Sequence, residues 1–436
     1  MTDKGYDVII IGAGVIGSNI AFELSKAGCR TLNVDKLPAS GYGSTAASCA
    51  IVRVHYSTWA GVAMAYEGFH YWKRWPEYLE GDDEQGLAEF IQTGGVYVGN
   101  ECRYRDKVLP LFDELGIPYE VWDVDQLQSE LPNIDAGRYA PPKRHDDETF
   151  WDEADQQITS AVYTPLTGYV SDPQLAAHNL QRAAEAKGGE FLFNAEVSDV
   201  CTKSGRVLGV SLADGTEIKA PIAINVAGPH SFVINRMAGV ADSMTITTKA
   251  LRHEVHHVSV PEGFTYDRDG FIVGDDDMGT YMRPAAGNNI LLGSQDPECD
   301  PQVWIPNPDQ FDHSITDDQW RTQVLRLAKR FPNLGVPHER KGIVDLYDVS
   351  DDWIPIYDKT DLDGFYVAIG TSGNQFKNAS VAAHCMTYLI DRVEAGHDHD
   401  SDPVKVPLIH TGLELDMSAF SRNREINQDS SFSVLG

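Results

Sequence analysis

The chain's 436 residues can bury more than one core, and its hydrophobic and charged fractions, 42% and 23%, are ordinary for a globular protein. Its 65 acidic residues against 35 basic ones leave a net charge of −30, spread in runs such as Asp275-Asp276-Asp277 and Asp351-Asp352, a field that excludes nucleic acid and anionic membrane surfaces as partners. Six scattered cysteines without a C-x-x-C argue against a metal centre or a disulfide framework, so no metal is expected. No stretch is long and apolar enough to span a membrane, and the first residues lack the basic and apolar regions of a signal peptide, so a cytoplasmic location is expected.

The first predicted element is a strand, Tyr6 to Ile11, whose unbroken apolar and β-branched run suits burial on both faces. Gly12-Ala-Gly14-Val15-Ile16-Gly17 follows at once. Ile20, Ala21, Leu24 and Ala27 then recur at helical spacing up to Gly28, and a second strand, Thr31 to Val34, ends on Asp35. This is G-x-G-x-x-G in its required setting of strand, turn and helix. Gly12 makes the turn, Gly14 admits a pyrophosphate to the backbone, and Gly17 lets the helix lie on the strand with its N-terminus toward the phosphates. Asp35 is placed to accept hydrogen bonds from ribose hydroxyls.

Residues 38 to 48, small and glycine-rich, predict a loop that a flat ligand can approach closely. Cys49 to Tyr56 reads as an extended piece carrying Arg53 and His55. Residues 59 to 80 show aromatic and apolar residues at helical spacing, which favours a core helix over a ligand cage. A strand pattern covers 90 to 100, a helix 108 to 115, and loop-rich sequence runs to about 160. Asp172 and Pro173 open a helix to residue 187, two strands flank a turn at Asp214-Gly215, and Ile222 to Ala227 is another buried strand; these are expected to extend the first sheet. Residues 245 to 295 alternate as antiparallel strands, and 317 to 331 form an amphipathic helix. A last buried strand, Gly364 to Ile369, ends at Gly370-Thr-Ser-Gly373 and opens onto a helix from about Asn374. The tail beyond Gly396 is polar and is expected to wrap the surface.

The expected architecture is therefore α/β, α+β overall: a Rossmann-like domain with an interleaved antiparallel-sheet substrate domain. The first is assigned to 1–80, 160–240 and 340–395, the second to 81–159 and 241–339, and 396–436 to a surface tail. A nicotinamide dehydrogenase usually keeps its dinucleotide fold contiguous; a strand at 364 to 369 returning late to a sheet begun at residue 6 favours FAD.

Asp7 to Asp35, Gly43-Ser-Thr with Ile51-Val-Arg53-Val-His-Tyr56, Tyr281-Met-Arg283-Pro284, and Gly370-Thr-Ser-Gly-Asn-Gln-Phe-Lys377 resemble the D-amino-acid oxidase superfamily of flavoenzymes. Within it they are most similar to the sarcosine oxidase and N-methyl amino acid dehydrogenase branch. The motifs and the resemblance together imply FAD held by Gly12, Gly14, Val15, Ile16, Gly17, Asp35, Lys36, Gly43, Ser44, Thr45, Val197, Ala227, Gly228, Gly370, Gly373, Asn374, Gln375, Phe376 and Lys377. The resemblance makes Arg53 and Lys377 the cations that hold a substrate carboxylate, although Arg53 reads equally as an ordinary ion pair. Tyr281, Gln295 and His55 complete the candidate catalytic set. His253, His256 and His257 read more readily as structural histidines, and Arg283 as a structural cation.

Three departures from the branch are expected to matter. Leu291 stands where oxygen-using relatives carry a lysine, Ala50 where they carry an arginine, and Asp345 where a cysteine carries covalent flavin. Tyr347 occupies the place of the carboxylate-binding arginine of D-amino-acid and glycine oxidases. The implied activity is oxidation of a small carboxylated secondary or tertiary amine by hydride transfer to non-covalent FAD, with a protein or quinone as electron acceptor. An oxygen-using amine or imino acid oxidase, and a flavin subunit of a larger electron-transfer complex, remain open at this point.

Overall fold

In the computed structural model, residues 5–99, 103–260, 266 and 270–436 are described. The strand Val8–Ile11 is central to a six-stranded sheet, with Thr31–Val34 and then Glu190–Leu192 on one side and Ile222–Asn225, Phe365–Ile369 and Ile356–Lys359 on the other. All pairings are parallel except the last, Ile356–Lys359 against Phe365–Ile369. Alternate residues of the central strand enter different cores. Val8 and Ile10 pack with Ile20, Leu24, Leu180 and Leu389 of the helices Val15–Lys26, Pro173–Ala186 and Ala379–Glu394. Ile9 and Ile11 pack with Val200, Val207 and Val210 on the opposite face. Burial on both faces is why this strand reads as an unbroken apolar run, at about 1.5–3 kcal/mol per large side chain. Asp172 caps its helix as expected, accepting from the Leu175 N–H at 2.9 Å with Pro173 in the first turn.

The second layer is a larger sheet of nine strands among the described residues, mostly antiparallel. Its path runs Val303–Ile305, Thr248–Ser259, Asn289–Ser294, Thr280–Ala285, Ile272–Asp275, Gly95–Val98, Ala161–Thr164 and Glu120–Trp122, with Gly342–Ser350 paired to Thr248–Ser259. The amphipathic helix Asp317–Arg330 covers it with Trp320, Val324 and Leu327. No helix among the described residues is long and apolar enough to cross a membrane.

Four expectations are corrected. Val197–Lys203, Arg206–Leu212 and Glu217–Lys219 form their own antiparallel sheet instead of extending the first. Their alternating pattern buries one face only, which suits a cover and not a central parallel strand. The domain limits drawn at 160 and 340 miss Ala161–Thr164 and Gly342–Ser350, both of which belong to the larger sheet. The helix after Gly373 starts at Ala379, because Ser372 and Gly373 turn with φ of +47° and +69° and a 3₁₀ turn covers Phe376–Asn378. The tail does more than wrap the surface. Val404, Val406, Leu408, Leu415, Met417 and Phe420 are buried in the helical core, and the fully buried Arg422 binds Asp358, Asp361 and Asp400. Charged residues between the apolar ones mask this alternation in a composition-based reading.

Candidate active site

Where the two sheets meet lies a cavity of about 610 Å³. Its floor is the glycine turn. A Cβ on Gly12 would lie 2.4 Å from the Val226 carbonyl oxygen, and one on Gly17 2.3 Å from that of Gly12, so glycine is required at both. A Cβ on Gly14 would approach only Thr45 Oγ1, at 3.1 Å, and Gly14 borders the open space. The Val15 N–H is held by Thr45 Oγ1 at 3.1 Å, while the amides of Ile16 and Gly17, in the first turn, have no acceptor inside the helix. Asp35 accepts from the Ala13 N–H at 2.7 Å and the Leu37 N–H at 2.9 Å, which aims its carboxylate along the cavity edge. Ser44 Oγ donates to the Leu346 carbonyl at 2.8 Å and so ties the small-residue loop to the larger sheet.

The opposite end holds the cations. Arg53 and Lys377 both line the cavity, are both buried, and lie 4.8 and 4.9 Å from the centre of the same ring, that of Tyr56. Lys377 Nζ donates to the Asn374 carbonyl at 2.6 Å, and the Tyr56 hydroxyl donates to that same oxygen at 2.6 Å. The aromatic helix Trp59–Lys73 supports this loop from behind: Trp72 Nε1 donates to the Lys377 carbonyl at 2.9 Å, and its ring stacks on Phe376. Neither cation has a carboxylate partner among the described residues. Burial, with the Arg53 charge added, holds the Lys377 ammonium well below the usual lysine range. Tyr97, Tyr281, Tyr347 and Gln295 line the same end from the larger sheet, and burial raises the three phenols, keeping them protonated.

The family model described as FAD dependent oxidoreductase, DAO, matches residues 7–389. The chain belongs to this family. Among curated relatives of this FAD-dependent oxidoreductase, sarcosine oxidase subunit beta of an Arthrobacter species is 24% identical over 397 residues, 90% of this chain and 88% of that one. The same subunit of Rhodobacter capsulatus is 26% identical over 400 residues, covering 89% and 85%. Among solved structures, L-proline dehydrogenase from P. horikoshii superposes with a TM-score of 0.73 at 20% identity, covering 89% of this chain and 94% of that one. Glycine oxidase from Geobacillus kaustophilus gives 0.72 at 20% identity, covering 97% and 99%.

The cavity walls fit FAD. The two orphan amides and the open side of Gly14 suit its phosphates, Asp35 keeps lone pairs for ribose, and the buried Asn374 Nδ2, which borders the cavity, has no acceptor of its own. Gly43, Ser44, Thr45, Val197, Ala227, Gly228, Gly373, Gln375, Phe376 and Lys36 all border the space as the sequence reading placed them. Two candidates do not. Gly370 lies behind the wall, donating its N–H to Asp348 at 2.6 Å, and His55 packs behind Tyr97, its Nε2 3.1 Å from Thr164 Oγ1.

The sequence reading did not anticipate Asn307, Asp309, Phe311, Val434 or Leu435 as wall residues. Asn307, Asp309 and Phe311 reach the cavity from a loop of the larger sheet, with Asp309 bonded to Lys36 and 3.0 Å from His230 Nε2. The Asn-Pro-Asp turn at 307–309 signals a loop but not its destination. Tyr347 fills the space that a Cβ on Gly373 would occupy, and Val434 and Leu435 enter from the tail. Asp345 borders the cavity beside Ser44, and Cys49 is the one cysteine lining it among the described residues.

Proposed function

We propose that this flavoenzyme oxidises the carbon–nitrogen bond of a small carboxylated secondary or tertiary amine of N-methyl amino acid type, acting as a dehydrogenase in the cytoplasm. The observation that carries the reading is the buried pair Arg53 and Lys377, which have no acidic partner among the described residues of a chain with 65 acidic residues. Unpaired buried cations are costly, so an anion brought from outside is their natural complement. A substrate carboxylate seated there would return Lys377 to its charged form and fix the amine's position, and positioning supplies much of the rate.

FAD, when bound, supplies the hydride acceptor, and the electronic chemistry belongs to it. The chain's own residues hold the carboxylate, and the three protonated tyrosines and Gln295 wall the same cavity. Two cations beside the carboxylate site also disfavour an ammonium there, so the amine is bound with its nitrogen neutral. Relatives are named for sarcosine, glycine, proline and iminodiacetate, each an amine beside a carboxylate and all but glycine secondary amines, which supports a carboxylated amine as substrate.

An anaerobic screen of N-methyl amino acids, imino acids and hydroxy acids for bleaching of the flavin tests the substrate class. Lys377→Met is expected to raise KM and slow flavin reduction at least tenfold; unchanged single-turnover reduction removes Lys377 from the site. Leu291 in place of the lysine of oxygen-using relatives supports a protein or quinone acceptor, and Asp345 in place of the cysteine supports non-covalent FAD. Rapid reoxidation of the reduced protein in air, with stoichiometric peroxide, would make it an oxidase. Three relatives named subunit beta favour a second reading, a flavin subunit of a larger complex. Purification as a lone yellow protein reduced by substrate would dismiss it.

A further inference from the structure

The reading of Arg53 as a carboxylate ligand leaves a question that the tail answers. Of the guanidinium's terminal nitrogens, Nη2 donates to the carbonyls of Val434 and Leu435 at 2.8 and 3.1 Å, and Nη1 donates to the His55 carbonyl. Two donors stay uncommitted, one on Nη1 and the Nε–H. The segment that holds Arg53 is itself fixed. The Ser57 N–H donates to the Gly436 carbonyl at 3.2 Å, and the Leu435 and Gly436 amides close a turn on Ser433. Val434 packs into a cluster with Leu251, Val349 and Trp353 that also touches Tyr281 and Tyr347. The Gly436 backbone lies on the Tyr56 ring, where an added Cβ would meet ring carbons at 2.4 Å.

We infer that residues 434–436 are a specificity-determining wall of the substrate chamber: their carbonyls hold Arg53 in one orientation, and Val434 and Leu435 limit the size of the group carried beside the carboxylate. A wall is favoured over a removable plug. Opening it on each turnover would expose Val434 and break the bonds to Arg53 and Ser57 together. The inference rests on the carboxylate reading of Arg53 and Lys377 and adds to it what selects among carboxylated amines.

Two variants test it, with flavin content and melting temperature checked first. Leu435→Ala opens space for one or two methylenes, a difference such a pocket resolves by roughly tenfold or more. With N-methylglycine, N-methylalanine and N-methylvaline as substrates, Leu435→Ala is expected to raise kcat/KM for the largest relative to the smallest about tenfold, through KM. An unchanged ratio overturns the wall. Deletion of 434–436 frees Arg53, and acetate, titrated by its effect on flavin absorbance, is expected to bind about tenfold more weakly. Tighter acetate binding would mean the segment is a plug, and would overturn the inference. If the deletion does not fold, the Leu435→Ala ratio decides alone. If none of these amines reduces the wild-type flavin, the reading of the reaction fails, and the acetate titration still decides the wall.

Discussion

Tyr56 shows how one side chain organises a site it does not border. Its ring lies under both Arg53 and Lys377, its hydroxyl shares the Asn374 carbonyl with Lys377, and burial pushes its phenol up to about 12, so it stays a neutral donor. Lys377 is the titrating group of the pair. Because burial lowers its folded value, the free protein loses the ammonium as pH rises, and a simple carboxylate needs that ammonium. Acetate affinity, followed by flavin absorbance, is therefore expected to fall up to tenfold per pH unit above the Lys377 value, and Lys377→Met should flatten the profile. Asp348 titrates with the opposite consequence for the fold. Burial raises its carboxyl from 3.8 to about 7, outweighing the bonds it accepts from Gly370 N–H and Ser231 Oγ. The folded form then holds its proton more tightly than the unfolded chain, so stability contributed by this group is full below about pH 4 and is lost by about pH 7. Asp348→Asn keeps an acceptor for Gly370 without a charge; its melting temperature is expected to exceed the wild type's by several degrees at pH 8 and to converge toward it near pH 4.

Among the elements, the glycine turn separates folding from cofactor binding. Gly12 has φ of +118° and no room for a Cβ, whereas Gly14 has φ of −70° and only a hydroxyl nearby. Gly12→Ala is expected to yield little folded protein. Gly14→Ala should keep a wild-type far-ultraviolet dichroism spectrum yet bind FAD at least about a hundredfold more weakly in reconstitution titrations, since its methyl group enters the phosphate approach. The aromatic helix Trp59–Lys73 is core, as its spacing predicts, and its packing gives it a further task, because Trp72 holds the Lys377 carbonyl in place. Spacing announced the helix. The partner, 305 residues away, was not legible in any local pattern.

For the whole molecule, 65 acidic residues against 35 basic ones make self-repulsion a standing term in stability. Raising sodium chloride from 10 mM to 1 M, which shortens the screening length from about 30 to about 3 Å, should raise the melting temperature by several degrees; a fall would show that ion pairs outweigh the repulsion. By itself the sequence determined the Rossmann-like turn, the FAD reading and most strands and helices, because glycine spacing, apolar period and caps act within about twenty residues. It also pointed to Arg53 and Lys377 through motif wording. Tertiary structure alone decided that His55 and Gly370 lie behind the wall, that the hairpins from residue 197 onward stand apart from the first sheet, and that one set of the tail's apolar residues is buried and its end closes on Arg53. These depend on which distant surface each segment meets, and no periodicity encodes the partner across a gap of 381 residues.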